Sequence, residues 1–97
     1  MIRSFADQET EDIFNGRETR AARKRLPPEL WKIARRKLVM VNQVKHYAEL
    51  RIPPSNRLHP LVDDRKGQWA IRINDKYRVA FRWDGEDAVD VEVTDYH

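Results

Sequence analysis

The chain of 97 residues contains no cysteine and only three glycines. Without cysteine, disulfides, thiolate metal ligands and cysteine nucleophiles are excluded together. No apolar run approaches the ~18 residues that span a bilayer, and the mean hydropathy is −0.84. The first residues lack the apolar segment of a signal peptide, because acidic residues begin as early as Asp7. We therefore expect one domain, residues 1–97, located in the cytoplasm and not bound to a membrane.

Charge is abundant and unevenly distributed. Lys and Arg number 19 and Asp and Glu 16, so the net charge is +3, which is too small to identify a nucleic-acid-binding protein. Residues 1–16 carry a net charge of −3, residues 17–45 of +8 and residues 46–97 of −2. The basic middle segment predicts attraction to phosphate backbones or to an acidic partner protein. A solvated basic face without a ligand is an equally good interpretation.

The first half predicts two helices behind a short apolar edge strand at residues 2–5. Asp7 is a good N-cap for a short helix that ends at Gly16, because its carboxylate can accept orphan amide protons. A longer helix begins after Pro27-Pro28-Glu29, a typical start signal. Its apolar stripe consists of Leu30, Ile33, Ala34, Leu38, Val41 and Val44. His46 falls near the end of this helix, where a cation suits the helix dipole, so its expected role is structural.

The second half alternates apolar and polar residues with a period of two, which is typical of strands with one buried face. The pattern covers residues 68–74, 77–83 and 88–96, and the turn residues Asn74-Asp75 and Asp84-Gly85 predict an antiparallel meander. The residues expected to face the core are Trp69, Ile71, Ile73, Tyr77, Val79, Phe81, Trp83, Val89, Val91 and Val93. The predicted fold is α+β, with two N-terminal helices packed on one face of a small, mainly antiparallel sheet.

The same alternation places three arginines on the other face of the sheet. The charged and polar residues sharing that face would be Arg72, Arg78, Arg82, Asp90, Glu92 and Tyr96. Opposite charges on neighbouring strands would form exposed ion pairs, each worth on the order of 0–1 kcal/mol. The functional alternative is a concave cationic surface for an RNA strand, because guanidinium binds phosphate bidentately. Composition alone favours the ion-pair interpretation.

His59 and His97 are the candidates for chemistry near this sheet. His59 precedes Pro60-Leu61 at the expected start of a strand that leads into the meander, and His97 follows Tyr96. An isolated histidine is usually a polar surface residue, but two near one sheet could share proton transfer. The sequence has no Walker loop, nucleotide fingerprint, HExxH motif or nucleophile elbow. No histidine pair has metal-ligand spacing on one element, so neither a metal nor another cofactor is expected.

Five segments, in order along the chain, carry a family resemblance. They are residues 56–61 (Asn-Arg-Leu-His-Pro-Leu), 64–69 (Asp-Arg-Lys-Gly-Gln-Trp), 71–74 (Ile-Arg-Ile-Asn), 77–79 (Tyr-Arg-Val) and 95–97 (Asp-Tyr-His). Together with the opening Met-Ile-Arg-Ser-Phe, they resemble the HigB toxins of the RelE-like toxin–antitoxin superfamily, also called plasmid-maintenance killer proteins. The resemblance covers essentially the whole chain and implies a small sheet with two helices on one face.

The resemblance also implies an activity and its partners. Such a toxin is an endoribonuclease that enters the A site of the 70S ribosome and cuts mRNA during translation. Its implied partner is a HigA-type antitoxin with a helix-turn-helix domain, and operator DNA would be bound only through the complex of the two proteins.

Site residues follow from the resemblance one at a time. His59 matches the family's active-site histidine, and Arg78 matches the arginine after an aromatic residue on the central strand. Asp95, Tyr96 and His97 match the family's tripeptide, in which Asp95 could orient a histidine and Tyr96 could contact the substrate base. In this hypothesis His59 and His97 divide the acid and base roles, in either order, and Arg78 stabilises the phosphorane. The cations predicted to steer the RNA are Arg57, Arg65, Lys66, Arg72 and Arg82.

Two positions depart from the family pattern. Many members have a lysine after the Pro-Leu pair and then a glycine, where this chain has Val62 and Asp63. The missing cation implies weaker cleavage, or transfer of its role to Arg65 or Lys66. Two other interpretations stay open: a ParE-like toxin, which shares the architecture but inhibits DNA gyrase, and a non-catalytic protein that binds an antitoxin and co-represses its operon.

Overall fold

In the computed structural model, which describes residues 1–95, helices form the first half and a four-stranded sheet the second. The helices are α1 (Gln8–Phe14), α2 (Arg20–Arg25) and α3 (Trp31–Gln43). The strands are β1 (His59–Pro60), β2 (Trp69–Arg72), β3 (Tyr77–Asp84) and β4 (Asp87–Asp95). All strand pairs are antiparallel in the order β1-β2-β3-β4. The predicted α+β fold with a meander is confirmed. None of the helices within residues 1–95 is both long and apolar enough to cross a bilayer.

The start and end of α1 agree with the prediction. The Asp7 carboxylate accepts the backbone N–H of Thr10 at 2.9 Å, which satisfies one of the orphan donors of the first turn. Gly16 follows the helix with a φ of 73°, a left-handed conformation that glycine adopts without strain. Ahead of α1, Ile2 and Phe5 form parallel bridges to β4, so the predicted edge strand exists as two short bridges.

The sequence prediction missed α2. Thr19 caps this helix by accepting the N–H of Ala22 at 3.1 Å. Because Ala22 is its one buried residue, the helix has no apolar period from which to predict it. Arg25 near its end donates to Asp7 at 2.7 Å, so the helix is attached to the start of α1 through a half-buried ion pair.

The apolar stripe of α3 packs on the sheet. Ala34, Leu38 and Val41 of the stripe are fully buried, whereas Ile33 is 36% exposed. The core that they join also contains Ile13, Leu26, Leu50, Ile71, Val79, Phe81 and Val93. The helix therefore covers the predicted apolar face of the sheet and leaves the other face open.

His46 does not lie in the long helix, and that part of the prediction is wrong. The helix ends at Gln43, and His46 is the N-cap of a 3-10 turn at Tyr47–Arg51. Its Nδ1 accepts the backbone N–H of Ala48 at 3.1 Å, while Glu49 accepts the backbone N–H of His46 at 2.8 Å. The role is structural, as expected, but its physical basis is reciprocal capping and not the helix dipole.

Val89 was predicted to face the core, and this is wrong because β4 contains a bulge. The register between β3 and β4 shifts between Ala80 and Arg82, and Asp90 on β4 has a φ of 52°. One extra residue in a strand reverses the alternation beyond it. Ala88 is therefore fully buried, while Val89 lies opposite Arg82 on the other face.

Candidate active site

The open face of the sheet carries part of the predicted site, with His59, Arg72 and Arg78. Arg72 pairs directly with Arg78 across β2 and β3, and His59 on β1 pairs with Ala70 on β2. Paired residues share a face of the sheet, and this face is opposite to that of the core residue Ile71. One histidine and two arginines are thus brought together. A small apolar cluster on the same face of the sheet consists of Leu61, Ala70 and Ala80.

A cleft of about 390 Å³ opens at one end of this face. The side chains that line it are Arg57, His59, Arg72 and Asp75. Arg57 ends the 3-10 turn Pro54–Asn56 in a left-handed conformation, with a φ of 48°. The cleft combines a titratable ring, two guanidinium groups and one carboxylate.

The His59 ring is held in one tautomer. Its Nδ1 lies 2.7 Å from the backbone carbonyl oxygen of Arg57. A carbonyl oxygen can only accept, so Nδ1 carries the proton. In the neutral ring Nε2 is then the atom with the lone pair. A histidine oriented in this way can take a proton from a hydroxyl group placed in the cleft.

Asp75 is a site residue that sequence reasoning missed. Arg72 donates to its carboxylate at 2.5 Å, and this hydrogen bond together with the charge of Arg72 lowers the pKa of Asp75. The Asp75 side chain is 99% exposed, so the ion pair contributes little to stability. A phosphate group could replace this carboxylate on the guanidinium at small cost. The only sequence signal was an acid three residues after Arg72, in the turn.

The remaining predicted RNA-binding cations differ in their surroundings. Arg65 donates to Glu92 at 3.1 Å, so it is held over β4 from the connection between β1 and β2. The Nε of Arg82 lies 3.9 Å from the Asp90 carboxylate, which confirms one member of the predicted ion-pair ladder. Lys66 is exposed.

Arg78 lies half-buried on β3, beside Arg72. Asp95 ends β4 and pairs with Tyr77, so the register puts it on the face of Tyr77 and not on the face that Arg72 and Arg78 share. Tyr96 and His97 lie outside the described residues. The roles predicted for Asp95, Tyr96 and His97 therefore stay predictions.

A buried amide fixes the loop that carries Arg57. The Asn56 side chain is fully buried; its Nδ2 donates to the Leu50 carbonyl at 3.0 Å and its Oδ1 accepts from Lys37 Nζ at 2.5 Å. Burial lowers the pKa of Lys37, and two neighbouring arginines add to the effect. Lys37 and Asn56 thus connect α3 to the loop whose carbonyl group orients His59. The sequence analysis did not single out Lys37, and it gave Asn56 no role beyond its place at the start of a resemblance segment.

Comparison with known proteins identifies the family. The model of the RelE-like toxin of type II toxin–antitoxin system HigB matches residues 3–97. The chain belongs to the HigB-like toxins. Toxin HigB-1 of Vibrio cholerae serotype O1 is 31% identical over 83 residues, which are 86% of this chain and 84% of that protein. Endoribonuclease HigB of Proteus vulgaris is 39% identical over 41 residues, 42% of this chain and 45% of that protein. The family resemblance is confirmed, and a type II toxin implies an antitoxin partner.

The two departures of this HigB-like toxin from the family pattern lie side by side. The Val62 side chain is 71% exposed. Asp63 has a φ of 55°, a left-handed conformation that glycine, the residue the resemblance implies there, adopts without strain. In the described part of this HigB-like toxin, no three acidic or histidine side chains are grouped to hold a metal ion.

Proposed function

We propose that this HigB-like toxin is an endoribonuclease that cuts mRNA in the A site of the translating 70S ribosome and thereby inhibits translation. The observation that carries the proposal is the His59 ring, whose Nδ1–H is bound to the Arg57 carbonyl in a cleft that Arg57 and Arg72 line. The name of the Proteus relative supports RNA cleavage. The match to the HigB family favours this proposal over gyrase inhibition by a ParE-like toxin.

In the proposed reaction His59 Nε2 takes the proton of the ribose 2′-hydroxyl. The 2′ oxygen attacks phosphorus while the bond from phosphorus to the 5′ oxygen breaks. The products are a 2′,3′-cyclic phosphate and a 5′-hydroxyl, and the departing 5′ oxygen receives its proton from an acid, for which His97 is proposed. The two histidines can exchange these roles.

Charge stabilisation is assigned to the arginines. Arg78 faces the developing charge on the phosphorane, and Arg57 and Arg72 hold the flanking phosphates, with the Arg72–Asp75 pair opening as RNA binds. Asp95 orients a histidine, and Tyr96 contacts the substrate base. The remaining steering cations are Arg65, Lys66 and Arg82.

The proposed partners follow from the same activity. A HigA-type antitoxin with a helix-turn-helix domain holds the toxin inactive, and operator DNA is bound only through that complex. A target on the translating ribosome places the activity in the cytoplasm.

Cleavage of mRNA on translating ribosomes, with the 5′ ends mapped, tests the proposal. The His59→Gln variant should lose at least about 10²-fold in cleavage rate, as expected for a lost general base or acid. His46→Gln is the matched control, because His46 caps a turn outside the cleft, and it should keep the activity.

Three outcomes would contradict the proposal. Equal cleavage by the parent chain and His59→Gln would remove His59 from the chemistry. Inhibition of gyrase without RNA cleavage would support the ParE-like interpretation. Absence of growth arrest together with intact antitoxin and operator binding would support a non-catalytic co-repressor.

A further inference from the structure

A second concave surface lies on the helical layer of the protein. It is a groove of about 500 Å³ between the end of α1, the connection from α1 to α2, and α3. α3 packs on the core face of the sheet, whereas Arg72 lies on the open face. The groove and the catalytic cleft have no lining residue in common. A ligand in this groove therefore occupies a separate site.

The floor of the groove is apolar. Ile13, Trp31 and Val39 contribute to its lining, and Ile13 is almost fully buried. The indole N–H of Trp31 donates to the Leu26 carbonyl at 2.8 Å, so its polar atom is already satisfied and its carbon surface remains for a ligand. Such a floor suits an apolar side chain better than a hydrated phosphate.

The rim of the groove is basic. Four cations line it together with a single acid, Glu18; they are Arg17, Lys32, Arg35 and Arg36. Arg35 donates to the Phe14 carbonyl at 3.1 Å, and Lys32 and Arg36 are one helical turn apart on the same side of α3. Within residues 1–95 no salt bridge involves any of these four cations. The rim thus carries an excess of positive charge on an exposed surface, with Glu18 in the rim and Asp12 close to Arg17 as the acids beside it.

We propose that this groove binds an acidic amphipathic segment of the cognate antitoxin, the partner that a type II toxin implies. The segment would insert an apolar side chain over Trp31 and Val39 and place carboxylates against Lys32, Arg36 and Arg17. Apolar anchoring in a groove and complementary charge at its rim are the recurrent features of helix-in-groove recognition. This proposal rests on membership of the toxin family and does not depend on the cleavage chemistry of the cleft.

Binding of the cognate antitoxin to the full chain, measured by calorimetry, tests the proposal. The antitoxin used is the protein whose co-expression relieves growth arrest by this chain. The double variant Lys32→Glu/Arg36→Glu should weaken binding at least about tenfold, because like charges then face each other across the interface. The matched control Arg20→Glu/Arg23→Glu makes the same change on exposed residues of α2 outside the groove and should change binding less than about threefold.

A second pair of variants tests the floor. Val39→Asp puts a carboxylate into the groove, whereas Ile33→Asp makes the same substitution on exposed surface of α3 outside it. Thermal unfolding shows that each variant is folded before binding is measured. Val39→Asp should weaken binding at least about tenfold, and Ile33→Asp should have little effect.

The results distinguish this proposal from the alternatives. Equal weakening by rim and control variants would mean that only general electrostatic attraction is lost, and unchanged binding would place the antitoxin elsewhere; either overturns the proposal. Loss of RNA cleavage with unchanged antitoxin binding would assign the groove to RNA and also overturn it. If the chain cleaves no RNA but the groove variants still lose antitoxin binding, the docking site stands and the nuclease proposal fails.

Discussion

The Asn56→Ala variant should show how strongly the loop beneath the cleft depends on one buried amide. The substitution removes the acceptor of Lys37 Nζ and the donor to the Leu50 carbonyl. A buried acceptor left without a partner costs ~1–3 kcal/mol. Lys37 keeps partial access to water, so the loss of its partner costs less free energy than the loss at the Leu50 carbonyl. We expect a loss of about 2 kcal/mol in the free energy of unfolding, out of a typical total of ~5–15 kcal/mol.

Urea unfolding and thermal unfolding measure this loss. For a chain of this size, about 2 kcal/mol lowers Tm by roughly 8–16 °C. The control is Asn15→Ala, since Asn15 is exposed and follows α1, and it should stay within about 0.5 kcal/mol of the parent. RNA cleavage should fall as well, because the loop positions the Arg57 carbonyl that fixes the His59 tautomer.

A double-mutant cycle isolates the contact between Lys37 and Asn56. Lys37→Met keeps most of the aliphatic stem but removes the ammonium, and the coupling to Asn56→Ala should be about 1 kcal/mol. If Asn56→Ala is as mild as Asn15→Ala, or if the two variants are additive, the reasoning about this buried amide is refuted.

Two further predictions concern stability. Asp63→Gly should raise the free energy of unfolding by up to about 1 kcal/mol in urea titrations, because glycine adopts the left-handed conformation of this position without the strain that aspartate has there. A lower stability would contradict this. Burial opposes ionisation of Asp7, but hydrogen bonds from Thr10 and Arg25 outweigh it and lower its pKa. The stability from Asp7 is therefore present above its unfolded-state pKa and is lost as the pH falls through the folded-state pKa. Asp7→Asn should destabilise the protein clearly at about pH 6 and much less at about pH 2, and an equal effect at both would refute the assignment.

Periodicity predicted the elements that bury one face. β2 and β3 follow the alternation because their apolar residues pack under α3, and the stripe of α3 was visible for the same reason. The bulge in β4 was invisible, since Val89-Asp90-Val91 reads as regular alternation although Asp90 adds a residue. α2 has a single buried residue, Ala22, and therefore no period to detect.

In the candidate site, too, some residues were predicted from the sequence and others were not. His59 and Arg78 were predicted from an ordered set of family motifs, and the sheet register brings His59 onto the face that Arg72 and Arg78 share. The groups that position them were missed, because their contacts depend on the tertiary fold. Lys37 and Asn56 are 19 residues apart, and nothing in local sequence predicts that a lysine on one helix meets a buried amide after the next turn.

The surroundings of the arginines separate structural ion pairs from those that the proposed RNA substrate would displace. Arg25 binds Asp7, whose side chain is 20% exposed, so opening that pair would uncover a half-buried charge. Arg72 binds Asp75, whose side chain is almost fully exposed, so opening this pair costs little because water solvates the released carboxylate. A net charge of +3 therefore understates the capacity of the cleft for phosphate. Under the proposed function, that capacity is set by the exposed Arg57 and the half-buried, exchangeable Arg72 beside His59, and not by the total number of basic residues.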